Sequence, residues 1–499
     1  MNHFVMIIFG ASGDLTKRKL MPALFTLFSN KRLPEDFSVL GTARTKYSDA
    51  EFRDYALKQL RIFVKPEERN EERFRAFCIR LHYITLDPSR EESYPRLRDK
   101  LESVTGETRP DNLLFYLATP PALYGVIPLH LKAVGLNTPG SRVIVEKPFG
   151  SDLASAKALG ETYKSVFDEQ RIFRIDHFLG KETAQNILAF RFANGIFEPV
   201  WNRNYIDYVE VTAVENMGIE NRGGFYDAAG ALRDMVQNHL IQLVALTAME
   251  PPVLFDADNF RNEIVKVYHS LKPLDEEDLH NHIIRGQYTA SGGEKGYREE
   301  KGVRPDSRTE TFIAMKLFIN NWRWSGVPFY IRTGKQMPTK VTEIVIHFKE
   351  TPYRMFRGES GESYPRGNQL IIRIQPDEGI VLKIGMKVPG TGFKLKQMSM
   401  DFSYSQLGNL DIRDSYVRLI EDCIQGDPTL FTRNDAIEAS WRFFDPVLNF
   451  WKTCPEAPLY GYPAGTWGPK ESDILMKGRG AGWTNPCKNL TNNDLYCEL

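Results

Sequence analysis

The rhythm of apolar positions changes about a third of the way along the chain. In the first third, short unbroken apolar runs alternate with longer amphipathic stretches. Phe4–Phe9 (FVMIIF), Leu113–Leu117 (LLFYL) and Arg142–Val145 (RVIV) have the pattern of strands buried on both faces, and Ser38–Leu40 continues it. Leu15–Phe28, after a glycine turn, and Asp152–Val166 have the pattern of helices. Continuous apolar strands separated by helices predict a parallel sheet covered on both sides.

The remaining two thirds read as strand after strand. The runs Tyr205–Val214, Ile283–Tyr288, Thr311–Phe318, Thr342–Phe348, Leu370–Gln375, Ile380–Lys387 and Met398–Tyr404 all fit, with Pro376-Asp-Glu-Gly379 as a hairpin turn. Helices are expected mainly at Ala231–Ala248, Asp414–Ile424 and Asp435–Phe444. The mix predicts an α+β domain with a large, mostly antiparallel sheet. The change of pattern puts the domain boundary near residue 172. Gly292–Val303, rich in glycine and charge, reads as a surface excursion, and no internal repeat is visible.

A length of 499 residues favours two or three domains. Lys plus Arg and Asp plus Glu both number 64, so no basic surplus points to nucleic acid. The five cysteines, at 78, 423, 454, 487 and 497, include no C-x-x-C pair and are odd in number. A disulfide framework and a thiolate zinc site are therefore both unsupported, and reduced cytosolic thiols are expected. Phe4–Phe9 is too short for a signal peptide and follows no Lys or Arg. Leu113–Leu131 is interrupted by Pro120, Pro121 and Pro128, so no membrane span is expected. A cytoplasmic protein is the reading.

Four segments carry candidate chemistry. Gly10-Ala11-Ser12-Gly13-Asp14-Leu15 follows an apolar strand and opens a helix, with Lys17 and Lys19 nearby. Glycines allow close backbone approach to a pyrophosphate, and a helix N-terminus offers it N–H groups. The spacing departs from G-x-G-x-x-G, so an ordinary strand-to-helix turn is the alternative. Arg44 closes the next strand segment, where an acid would suit the ribose of NAD; an Arg suits the 2′-phosphate of NADP. A solvated surface Arg is the alternative. Glu146-Lys147-Pro148-Phe149-Gly150 follows the last buried run, which places Lys147 within reach of a ligand, with Pro148 suited to a tight cis turn; a strand exit with a charged pair is the alternative.

Arg174-Ile-Asp176-His177-Phe178-Leu-Gly180-Lys181 brings an acid and two cationic groups together, a combination suited to a phosphate monoester. Finally, Leu232, Met235, Val236, His239, Leu240, Leu243 and Val244 form a helical apolar stripe with a histidine at its middle. A satisfied core histidine is the ordinary reading. Paired with a carboxylate, the same imidazole becomes a general base near neutral pH. Asp234 and Asn238 flank the stripe.

The motifs GASGDL, EKPFG, RIDHFLGKE, GGFYDAAGALRDMVQNHL and RTGK occur in an order that resembles the glucose-6-phosphate dehydrogenase family, from residue 4 to about 485. The resemblance implies an α/β Rossmann-like NADP-binding domain, 1–172, and an α+β substrate-binding and dimerisation domain, 173–499. It implies that Gly10, Ala11, Ser12, Gly13, Asp14, Leu15 and Lys17 cradle the NADP pyrophosphate. Arg44 would pair with the 2′-phosphate, and Lys147 would contact both cofactor and sugar. His177 and Lys181 would bind the substrate phosphate. Asp176 would orient His239, the proton acceptor, while Glu215, Asp234, Lys335 and Lys340 would be further sugar contacts.

The reaction implied is oxidation of glucose 6-phosphate to the phosphogluconolactone, the first step of the oxidative pentose phosphate pathway, with no metal. A homodimer, or a homotetramer built from it, is implied as well. Phe178 stands where many members have Tyr. Arg373, Gln375 and Lys383 match part of a second, structural NADP site of some members, but Ile344 and Trp467 replace its expected arginines, so none is predicted. Two other readings stay open here: an NADP oxidoreductase of unphosphorylated sugars or polyols, and an NADP-binding regulator without catalysis.

Overall fold

A computed structural model describes residues 3–108, 110–353, 355–356, 367–404, 414–478 and 482–486. The chain divides into two compact units. One comprises 1–181, 253–261 and 412–438; the other comprises 182–252, 262–411 and 439–499.

The first unit is built on a parallel sheet, six-stranded among the described residues. Its strands are β1 (Phe4–Phe9), β2 (Phe37–Ala43), β3 (Leu81–Thr85), β4 (Leu113–Leu117), β5 (Arg142–Val145) and β6 (Ile172–Arg174), in the order β3-β2-β1-β4-β5-β6. All five pairings are parallel. This is the doubly wound order, whose ligand crevice opens at the carboxyl ends of the strands where the winding reverses, here between β1 and β4. Every side chain of β1 and β4 is buried, as their unbroken apolar runs require. β3 and β6 lie outside the strands that the apolar pattern predicts. β3 is buried only in part and β6 has three residues, so neither shows a long apolar run.

The helix expected over Leu15–Phe28 has a π-type segment, Thr16–Leu20, leading into the α-helix Met21–Ser29. Pro22 lies in the first turn of the latter. It offers no N–H and its ring crowds the carbonyl four residues back, which disfavours an uninterrupted α-helix there.

The second unit is built on a nine-stranded sheet among the described residues. The strands are β7 (Ile206–Val214), β8 (Ile283–Thr289), β9 (Phe312–Phe318), β10 (Pro328–Gly334), β11 (Val341–Phe348), β12 (Gln369–Gln375), β13 (Gly379–Lys387), β14 (Leu395–Ser403) and β15 (Tyr460–Pro463). Their order is β14-β13-β12-β11-β7-β10-β9-β8-β15. Six of the eight pairings are antiparallel; β7 with β10 and β8 with β15 are parallel. The turn at Pro376–Gly379 joins β12 to β13, as its residues suggested.

β10 carries no unbroken apolar run, because its buried positions include Arg332 and Thr333. The sheet centre holds a polar layer. His347 Nε2 lies 2.7 Å from Glu210, Arg373 pairs with Glu343 at 2.8 Å, and the Arg332 guanidinium lies 5.0 and 4.9 Å from the ring centres of Trp467 and Trp483. Ile344 is buried within β11. The expected excursion at Gly292–Val303 is exposed over 292–295 but returns to the unit at Tyr297, which is buried and donates to Asp227 at 3.0 Å. Among the described residues no helix is long and apolar enough to cross a membrane. Cys78, Cys423 and Cys454 are free thiols, and Cys487 and Cys497 lie outside the described residues.

Candidate active site

The candidate residues of the first unit sit at or just beyond the carboxyl ends of strands. Gly10 follows β1 with φ +90°, and a Cβ there would stand 2.1 Å from the Ala118 carbonyl oxygen just beyond β4. Only glycine fits this crossing. The N–H groups of Gly10 and Ala11 donate to Thr42 of β2 at 2.8 and 3.1 Å, and Gly13 N–H donates back to Gly10 at 2.9 Å. Thr16 Oγ1 closes the turn on the same carbonyl at 3.0 Å. Helical backbone begins at residue 14, so Leu15 lies in the first turn, where N–H groups lack intrahelical acceptors and suit a phosphate.

Asp14 pairs with Lys17 at 3.0 Å and Arg18 at 2.9 Å, and these hydrogen bonds hold its carboxyl below the usual range. Lys19 is turned to Asp414, at 2.9 Å. Arg44 is exposed directly after β2. The following residue, Thr45, meets Ser12 of the glycine turn at 3.0 Å, hydroxyl to hydroxyl, and its carbonyl accepts from Tyr83 at 2.7 Å. The segment after β2 is thus tied to the glycine turn.

Lys147 follows β5, half-buried, and its peptide bond to Pro148 is cis. The neighbouring Glu146 carboxylate accepts from the hydroxyls of Tyr116 at 2.5 Å and Tyr416 at 3.3 Å, and burial raises its pKa. Beyond β6, residues 176–181 form a chain of tight turns. Asp176 is 3% exposed and accepts the N–H of Phe178 at 2.9 Å. Burial raises its carboxyl, opposed by the charges of His177, Lys147 and Lys181. The Lys181 ammonium lies 4.8 Å from the centre of the Phe178 ring. At Gly180 a Cβ would fall 2.8 Å from Leu419 of the helix Ser415–Gln425, so glycine permits that close packing.

In the second unit, parallel pairing brings the ends of β7 and β10 together. Glu215 follows β7 and Lys335 follows β10; the two side chains form an ion pair. Their backbones interlock, with Glu215 N–H donating to Gly334 at 3.0 Å. The Lys335 ammonium lies 5.4 Å from the centre of the buried Tyr226 ring. Tyr226 is held protonated by burial and by the neighbouring charges of Asp234 and Glu310. Lys340 is exposed just ahead of β11, and among the described residues no hydrogen bond or ion pair joins it to this group.

The helix expected over Ala231–Ala248 is π-type over Leu232–Leu240 and α over Ile241–Ala248. Its widened part carries both Asp234, half-buried, and His239, 1% exposed. Asn238 Nδ2 donates 2.7 Å to the Arg233 carbonyl, so it serves the helix backbone. π-type turns are rare and frequently occur at functional sites.

Two family models cover nearly all of the chain. "Glucose-6-phosphate dehydrogenase, NAD binding domain" matches residues 7–186, and "Glucose-6-phosphate dehydrogenase, C-terminal domain" matches residues 188–484. The chain belongs to the glucose-6-phosphate dehydrogenase family. It is 50% identical over 489 residues to the glucose-6-phosphate 1-dehydrogenase of Aggregatibacter actinomycetemcomitans, covering 96% of this chain and 97% of the relative. It is 46% identical to that of Treponema pallidum, with 99% and 98% covered. A solved glucose-6-phosphate dehydrogenase "in complex with its substrate glucose-6-phosphate" superposes with a TM-score of 0.88 at 36% identity, over 97% of this chain and 99% of that one. A dinucleotide-binding domain of this family supports a nicotinamide cofactor.

Several contributors had no sequence signal. Tyr116 and Tyr416 stand 30 and 270 positions from Glu146, and Thr45 stands 33 positions from Ser12. Residue type alone gave no reason to pair them.

Proposed function

We propose that this chain is an NADP-dependent glucose-6-phosphate 1-dehydrogenase, cytoplasmic and dimeric or tetrameric. It oxidises D-glucose 6-phosphate to 6-phospho-D-glucono-1,5-lactone, the first step of the oxidative pentose phosphate pathway. The unit built on the parallel sheet is its cofactor domain, reaching residue 181 rather than the expected 172, and the unit built on the nine-stranded sheet is its substrate and dimerisation domain. The observation that carries the reading is the family match across nearly the whole chain, in agreement with the motifs. The switch-point position of the glycine turn fits a dinucleotide, and the exposed Arg44 beside it fits a 2′-phosphate. The bound nicotinamide supplies the hydride acceptor.

The chain's own residues do the rest. Gly10 to Leu15 and Lys17 hold the pyrophosphate, and Lys147 bridges to the sugar. His177 and Lys181 clamp the substrate phosphate with charge-assisted hydrogen bonds. Glu215, Asp234, Lys335 and Lys340 orient the hydroxyls. His239 takes the proton of the anomeric hydroxyl as C1 loses its hydride. Asp176 fixes the imidazole and stabilises the imidazolium. General-base assistance of this kind contributes about 10²–10⁴-fold, and positioning contributes further.

The test is a spectrophotometric assay with glucose 6-phosphate or free glucose, each with NADP or NAD. Reduced cofactor should appear with the phosphorylated sugar and NADP. Turnover of free glucose at an equal rate would overturn the phosphate clamp. NADP binding without any turnover would favour a regulator.

A further inference from the structure

Glu310 belongs to none of the motifs above, yet it is buried just ahead of β9. Its backbone carbonyl accepts the N–H of Ala231 at 3.0 Å, and its Oε1 accepts the N–H of Leu232 at 3.0 Å. Both amides lie at the start of the π-type segment that carries Asp234 and His239. The carboxylate rests directly on the backbone there. Gly230 has φ +73°, and a Cβ on it would come 2.3 Å from Oε1. A helix start presents N–H groups that need acceptors, and a carboxylate also suits the helix dipole.

The next residue faces the other half of the unit. The Thr311 carbonyl accepts the N–H of Lys335 at 3.0 Å, and Thr311 N–H donates to Gly286 of β8 at 2.8 Å. Two consecutive residues therefore hold the His239 helix with one set of bonds and the Lys335–Glu215 pair with another. A shift of either element would change the distance between proposed base and proposed sugar contacts. Misplacement by about 1 Å can cost about 10²-fold in rate.

We propose that Glu310 is a positioning residue for the dehydrogenase reaction, fixing the start of the His239 helix relative to Lys335 and Glu215. This rests on the reading of His239 as the base. The test compares the full-length Glu310→Ala, Glu310→Asp and Glu310→Gln proteins with the unsubstituted chain. The Gln side chain keeps an acceptor oxygen at the same reach; Asp withdraws it by one methylene; Ala removes it.

Glu310→Ala and Glu310→Asp should lower kcat by about 10–100-fold, with KM for glucose 6-phosphate rising less and NADP affinity unchanged. Glu310→Gln should recover kcat to within about threefold, because the acceptor is retained. Amide hydrogen exchange over residues 230–240 should speed up in the Ala and Asp proteins and not in the Gln protein. If Glu310→Ala does not fold, the Asp and Gln proteins decide. A kcat within twofold of the unsubstituted protein in Glu310→Asp would overturn the proposal, as would failure of Glu310→Gln to recover. If the unsubstituted chain does not oxidise glucose 6-phosphate, the functional reading fails separately. The exchange data then still decide the positioning role, and unchanged protection over 230–240 overturns it.

Discussion

In the parallel sheet each chemical segment leaves at or just beyond the carboxyl end of a strand: Gly10 after β1, Arg44 after β2, Lys147 after β5 and Asp176 shortly after β6. In the unit of the nine-stranded sheet the candidate groups are polar side chains that find partners far along the chain: the half-buried Glu215 pairs with the buried Lys335, and the buried Glu310 accepts the backbone N–H of Leu232. The first arrangement is a property of backbone topology. The second is a property of pairing, where each buried charge needs its partner. Substitutions in the two regions should therefore fail in different ways.

The largest effect belongs to the second region. His239→Asn should lower kcat by about 10²–10⁴-fold while leaving NADP affinity intact; equal losses in rate and in NADP binding would break the separation. Gly10→Ala, in the first region, should do the reverse. Its Cβ meets Ala118 and its φ disfavours any side chain, so NADP affinity and melting temperature should both fall, by about 2 kcal/mol or more in stability. Titration of NADP with thermal unfolding checks this.

Lys181→Ala should raise KM for glucose 6-phosphate about 10–100-fold, the loss of one charge-assisted hydrogen bond, with kcat less affected. An unchanged KM would remove it from the phosphate clamp. Arg44→Ala should narrow the preference for NADP over NAD by about tenfold, read from kcat/KM with each cofactor. The smallest change is Phe178→Tyr. The ring already lies beneath the Lys181 ammonium, and an added hydroxyl should lower KM for the phosphorylated sugar only about two- to fivefold.

The same contrast explains what the sequence revealed. β1, β4 and β5 are apolar runs between helices, and the glycine turn is contiguous, so most of the cofactor half was legible, with the partly buried β3 and the three-residue β6 as exceptions. In the second sheet most strands were legible, but β10 was hidden because its buried positions include the polar Arg332 and Thr333. The pairing of Glu215 with Lys335 spans 120 positions, and no periodicity links them. The stripe around His239 predicted a helix correctly but not its widened turn, which no apolar spacing encodes. The family resemblance supplied Glu215 and Lys335 where the pattern could not, and it did not point to Glu310.

The central claim is that this chain removes a hydride from C1 of a phosphorylated glucose. Glucose 6-phosphate deuterated at C1 tests it directly, incubated with NADP and the protein, with the reduced cofactor then analysed by mass spectrometry. The account predicts one deuterium per reduced cofactor, and a far smaller yield when C1-deuterated free glucose replaces the phosphorylated sugar. Reduced cofactor without deuterium, or none formed at all, would contradict it.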